Sequence, residues 1–206
     1  MIDFVATFIF FFAVIDPIGT VPVFIAATKS YEEVAKRKVA LFATLFSAAI
    51  LLFFVVAGEI ILTAMRIPLS AFQISGGIVL FLFALTMIFG ESKPAEEIRT
   101  LNSHHDTAVF PLAIPSIASP GAILAAVLLT ENVRFNIWEQ VQTVAMMLLV
   151  LLVVYILLLM ASGIHRIIGN TGASAVSRIM GLILAAVATT NTLNGIESLR
   201  LFRKLS

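Results

Sequence analysis

The chain has 206 residues, of which 60% are hydrophobic and 12% charged, with a mean hydropathy of +1.08. An ordinary soluble domain is nearer a quarter charged, so this composition excludes a water-soluble globule and indicates an all-α membrane protein. Thirteen Lys and Arg against 12 Asp and Glu provide no basic field for nucleic acid, and the lack of cysteine excludes disulfides, thiolate metal sites and a cysteine nucleophile.

A crossing helix needs about 20 mostly apolar residues with its backbone groups paired internally. Six stretches qualify, at residues 4–28, 39–57, 69–89, 107–130, 141–161 and 176–193, with short connections at 58–68, 131–140 and 162–175. The first has only Asp3 before its apolar core, without Lys or Arg, and reads as a retained span rather than a cleaved signal. Lys29, Lys36, Arg37 and Lys38 then form the densest basic cluster. The positive-inside rule puts that loop in the cytoplasm and both termini outside, against the pull of Arg200, Arg203 and Lys204. Ser30-Tyr31-Glu32-Glu33 fits a capping box and predicts a helix starting near Tyr31 whose first charged turns leave the membrane. The connection at 90–106 holds most of the loop acids, with His104-His105-Asp106 at its end. That trio lacks a third firm ligand, so no metal and no cofactor is expected. Glu59, Glu131 and Glu197 fall at span ends, where solvation is expected, and Arg178 is expected at the interface.

The most informative feature is a defect that occurs twice. The first span is interrupted by Asp16-Pro17-Ile18-Gly19-Thr20-Val21-Pro22, the fourth by Pro115-Ser116-Ile117-Ala118-Ser119-Pro120-Gly121. In each, a capping residue (Asp16, Ser119) precedes a proline, with glycine one or two positions on. This is the signature of a helix N-terminus, placed inside a span. Proline lacks a backbone donor and crowds the carbonyl four residues back, so each span should divide into two half-helices, with Pro17, Pro22, Pro115 and Pro120 as breakers. Asp16 and Ser119 sit near the midpoints of their stretches, which puts both breaks near the bilayer centre.

The two halves also correspond. A shift of 103 lays Pro17 on Pro120, and a shift of 105 lays Ile74 on Ile179 and Gly76 on Gly181. Three spans per copy is an odd number, so the second copy enters from the opposite face: an inverted 3+3 repeat, with residues 1–90 as the first unit, 91–106 as a polar connection and 107–206 as the second. Discontinuous helices at the interface of inverted repeats are a transporter plan. The freed amides of each half-helix start can hold a carboxylate, and Asp16 can meet an ammonium group or carry a proton. The expected solute-binding set is Asp16, Gly19, Thr20, Ser75, Gly76, Ser119, Gly121 and Asn191. For Ser75, Gly76 and Gly181 close helix packing is the competing reading; for Asp16 it is the capping of its own half-helix.

These residues resemble the MarC family of bacterial and archaeal inner-membrane proteins. The likeness rests on Asp16-Pro17-Ile18-Gly19 with Pro22 and Phe24, and on Ser75-Gly76-Gly77-Ile78 followed by Leu80-Phe81. It continues in Pro111-Leu112-Ala113-Ile114-Pro115 leading to Pro120-Gly121, in Arg178 with Met180-Gly181-Leu182, and in Asn194-Gly195-Ile196. Ser119 departs from the pattern, because many members have glycine there. The resemblance covers nearly the whole chain. It implies a six-helix protein of the cytoplasmic membrane, distantly similar to the lysine-exporter superfamily, with some relatives described as carriers of small neutral amino acids.

The reading that follows is a secondary carrier for small zwitterions, working by alternating access in the lipid bilayer, with H⁺ or Na⁺ as the coupling ion and no catalytic residue set. A homo-oligomer is compatible with it. The competing readings are an ion channel and a structural or regulatory membrane subunit without a solute path.

Overall fold

The computed structural model of the chain describes residues 3–89, 104–132 and 134–205, and every regular element among them is helical. α1 (Phe4–Ile15) is capped by Asp3, whose carboxylate accepts from the amides of Val5 and Ala6 at 3.0 Å. α2 (Pro17–Ala27) follows after one residue, and the two read as a single apolar span of 24 residues.

α3 (Glu33–Ala64) has 32 residues. At 1.5 Å per residue it is about 48 Å long, more than the roughly 30 Å of a hydrocarbon core. A charged first turn therefore projects, with Lys36 Nζ 2.8 Å from Glu33. The capping box expected at Ser30 does not form. Glu32 is the N-cap, without a side-chain bond, because residues 28–31 make a turn in which the Tyr31 amide donates to the Thr28 carbonyl. At its far end α3 stops with Arg66 in the left-handed region at φ 56°, the Arg66 amide on Thr63 and the Ile67 amide on Leu62, with Pro68 next. That is a Schellman stop with arginine where glycine is usual.

α4 (Leu69–Phe89) follows after that turn. Most of the polar connection predicted at 91–106 lies outside the described residues. The chain is described again from α5 (His104–Thr107), a single turn, then a widened irregular segment Ala108–Ile117, then α6 (Pro120–Leu128). α7 (Ile137–Leu159) begins with a capping box: the Asn136 side chain accepts from the Glu139 amide and the Glu139 carboxylate from the Asn136 amide.

α8 (Ala161–Leu205) is helical throughout, including residues 162–175, where a connecting loop was expected. No proline follows Pro120 in the sequence, so nothing there removes a backbone donor, and the glycines alone do not end the helix.

Five stretches, α1 with α2 taken as one, α3, α4, α7 and the Ser174–Arg200 part of α8, are long and apolar enough to span a bilayer. Ala108–Ile117 with Pro120–Leu128, bent by 58°, makes a sixth when counted as one span. The chain is a multi-pass, all-α protein of the lipid bilayer. Phe11, Val14, Ile15, Leu112, Ile117, Leu124, Met147 and Leu151 fill the interior, while Phe46, Phe53, Ile60, Leu82, Leu152 and Leu182 point outward to lipid.

Lipid is as apolar as leucine, so helices here associate through close packing and polar bonds rather than escape from water. α4 and α8 show this most clearly. A methyl group added to Gly77 would stand 2.9 Å from the Ala188 carbonyl, and one added to Gly181 3.0 Å from the Ala84 carbonyl. Only glycine admits backbones this near.

Candidate functional site at the two helix breaks

The first break is one residue wide. Asp16 adopts φ 51°, ψ 67°, a left-handed conformation that a short polar side chain tolerates better than most. Its amide still donates to the Phe12 carbonyl and closes α1. Its carboxylate Oδ1 accepts from the Gly19 amide at 3.0 Å and opens α2, with Pro17 in the first helical position. The other carboxylate oxygen lies over Gly19, where a Cβ would collide with it. The Asp16 carbonyl accepts from both the amide and the hydroxyl of Thr20, at 3.1 and 3.0 Å. Pro22 lies inside α2, which runs through it to Ala27; of the two prolines in this span, only Pro17 stands at the break.

The second break is wider. Phe110 and Ile114 have extended backbones (φ −132°, ψ 127° and φ −123°, ψ 127°), each followed by a proline that disfavours helical geometry in its predecessor. Pro115 thus belongs to an irregular run rather than to a clean break. Helical order resumes at Ser119, whose hydroxyl accepts from the Ala122 amide at 3.1 Å, with Pro120 as the first helical residue.

The breaks meet. Ser119 Oγ donates to the Val14 carbonyl at 2.7 Å, and Ser116 Oγ donates to Thr20 Oγ1 at 3.2 Å. Asp16, Thr20, Ser116 and Ser119 are all buried, Asp16 to within 4% of full enclosure. Two half-helix N-termini, those of α2 and α6, flank this group, and their partial positive charge favours an anion there. Ser116 was not among the expected site residues. Its signal was its spacing, a hydroxyl three positions before Ser119 and directly after a proline.

The other expected members fall elsewhere. Gly19 lies beneath the Asp16 carboxylate, and Gly121 packs on Leu80 and Val14. Gly76 faces the side chain of Leu124, and Ser75 is on the exposed face of α4. It is Gln73, not Ser75, that α4 buries. Asn191 is half-buried on α8, its amide nitrogen enclosed and without a hydrogen-bond partner among the described residues. The hydroxyls of Thr189, Thr190 and Thr192 return to carbonyls of their own helix.

One of the three span-end acids differs from expectation. The Glu131 side chain is only 14% exposed, with Arg134 Nε at 3.9 Å. Burial pushes its carboxyl above the ordinary 4.5; Arg134 opposes the shift, and the nearby charge of Glu59 adds to it. Glu59 Oε2 accepts from both the backbone and the side-chain amide of Asn132, at 2.9 and 2.8 Å. Arg178 is exposed on α8, with no acid paired to it among the described residues. Among those residues no group of three or more His, Asp and Glu is placed to hold a metal ion.

The family described as MarC family integral membrane protein matches residues 1–200. A UPF0056 membrane protein of Methanocaldococcus jannaschii is 36% identical over 197 residues, covering 94% of this chain and 96% of its own. The UPF0056 inner membrane protein YhgN of Escherichia coli is 32% identical over 197 residues, covering 96% and 98%. A UPF0056 membrane protein of Aquifex aeolicus is 30% identical over 200 residues, covering 95% and 93%. No solved structure matches the chain.

Proposed function

The chain belongs to the MarC family of integral membrane proteins, and from that premise we propose that it is a secondary carrier of small zwitterionic solutes, neutral amino acids first among them. The observation that carries this reading is the buried polar group where the two breaks meet: Asp16, Thr20, Ser116 and Ser119 enclosed among apolar helices. A buried carboxylate is costly in a membrane interior, about 2.5–3.5 kcal/mol on insertion scales. A cap of uncharged chemistry would serve the fold at less cost, so the charge points to a task. The solute carboxylate docks at the α6 amino end, displacing the Ser116–Thr20 bond, and its ammonium group meets Asp16. Gly19, Gly121 and Asn191 belong to the same proposal as wall residues, with Ser75 and Gly76 at the next helix. A proton or Na⁺ is the proposed driver.

The reading includes an inverted repeat of residues 1–90 and 107–206, with both breaks near mid-membrane and both termini outside. Support comes from reciprocity in the packing. α1 packs on α6 as Ala108–Ile117 packs on α2; α1 on α7 as that segment on α3; α2 on α7 as α6 on α3; and α2 on α8 as α6 on α4. At the α4–α8 crossing, Gly77 meets Ala188 and Thr192 while Gly181 meets Ala84 and Ile88. A shift of 104 exchanges these two sets, between the 103 and 105 found in the sequence.

Uptake and counterflow in proteoliposomes test the carrier. Asp16→Asn preserves shape and removes the charge; Pro120→Ala weakens the second break. Both should abolish exchange of glycine or alanine while the protein still inserts, and full exchange in both variants would remove the assignment. A structural or regulatory subunit is the second reading, favoured by the mutual bonding of the breaks, which leaves them closed here. It requires that no amino acid moves at all.

A further inference from the structure

A carrier that works by alternating access needs a closure at each mouth. Two polar side-chain contacts among the described residues, away from the breaks, join the half of the chain before residue 90 to the half after residue 103. The first is Tyr31 Oη with Thr107 Oγ1, at 2.7 Å and partly buried. The second is Glu59 Oε2 with the backbone and side-chain amides of Asn132. Gln140 Nε2 donates to Asn132 Oδ1 at 2.9 Å and to the Phe135 carbonyl at 3.1 Å, which holds the asparagine in register.

These bonds lie at opposite ends of one rigid element. Tyr31 just precedes α3 and Glu59 is near its carboxyl end. The 26 positions from Glu33 to Glu59 span about 39 Å of helix, more than the hydrocarbon thickness. Their partners, Thr107 and Asn132, likewise flank the second broken span. At the Glu59 end a cleft of about 540 Å³ opens beside the bond, walled by Glu59, Thr63, Arg66 and Glu131 with Leu62 and Leu69.

The chemistry of the two ends differs. A shift of 104 sends Tyr31 to Phe135 and Thr107 to Asp3, and it relates Glu59 to Gly163 and Asn132 to Thr28. Neither pair recurs at the other end, so each mouth has a bond of its own. One is between hydroxyls, the other between a carboxylate and amides.

We propose that Tyr31–Thr107 and Glu59–Asn132 are the two gates of the protein, one at each membrane face, and that this structure, with both bonds made, is its occluded state. The alternation rests on the carrier reading; the gates themselves do not depend on which solute moves.

The test uses the absence of native cysteine. A single reporter, Ser116→Cys, is placed at the meeting of the breaks and probed in right-side-out and inverted vesicles with a membrane-impermeant maleimide. Thr20→Cys serves as a second reporter if the first fails to fold. In the wild-type background the reporter reacts slowly from both faces. Tyr31→Phe should raise its rate about five-fold from one face only, the amount set by one lost hydrogen bond. Glu59→Ala should do so from the opposite face only, and Glu59→Gln, which retains an acceptor, should stay near the parent. Any other pattern overturns the gates, whether rates are unchanged or both variants act from one face. Amino-acid uptake is measured separately, so alternating reactivity without uptake removes the solute assignment and leaves the gates standing.

Discussion

The two breaks solve one problem in different ways. At Asp16 a single left-handed residue ends α1 and opens α2, and the two remain one span. At Ser119 the preceding segment is irregular over ten residues, and the chain turns by 58°. Proline content separates them. The first break has one proline at its start, where the missing donor costs nothing, while the second is preceded by Pro111 and Pro115, each forcing its neighbour out of helical geometry. The first break therefore depends on one residue's conformation, the second on several residues jointly.

That contrast can be broken by substitution, and the first break should be the more fragile. Asp16→Ala loses the cap and, with it, the short polar side chain that makes the left-handed conformation tolerable, for about 2–3 kcal/mol of destabilisation together. Asp16→Gly keeps the conformation and should fall within about 0.5 kcal/mol of the parent. Equal losses in the two variants, measured by thermal unfolding in detergent, would show that backbone conformation is not what the residue supplies. Next in size is a test of the reciprocal packing: Gly77→Leu and Gly181→Leu should each cost about 1–3 kcal/mol by overpacking, and by similar amounts.

At the second break Ser119→Ala should cost about 1 kcal/mol, the worth of one N-cap, because the surrounding prolines maintain the bend without it. Arg66 is the only other non-glycine residue with positive φ among the described residues. Arg66→Gly should stabilise by up to about 1 kcal/mol, the reverse of Asp16→Ala, since no cap is lost there. The smallest effect is expected at Glu131. A carboxyl raised above its ordinary value contributes stability that is complete at acid pH and is lost as pH rises through its folded-state value. Glu131→Gln should therefore stabilise slightly near about pH 8 and change nothing near about pH 4. Stabilisation that persisted in acid would point to packing rather than charge.

Much of this was legible in residue order. Apolar runs of span length located the crossings, because a helix that satisfies its own backbone in lipid needs about 20 such residues. The cap-proline-glycine pattern located both breaks, since Asp16 and Ser119 act through amides three residues away. Other features were illegible for identifiable reasons. Ser30 looked like a cap, but the chain turns at residues 28–31 and Tyr31 bonds to a residue 76 positions away. Ser75 looked like a site residue, yet α4 turns Gln73 inward instead. The phase of a helix that is apolar on every side cannot be read from its own sequence.

The sequence by itself determined the solvent, the class of fold and the places where helical order fails, because each depends on local chemistry: hydropathy, a missing amide, a capping oxygen. Only the tertiary structure decided that Ser119 reaches Val14, that Ser116 reaches Thr20 and that Gly77 and Gly181 bring α4 and α8 together. Those contacts join residues about a hundred positions apart, and their energies exist only once the spans have packed.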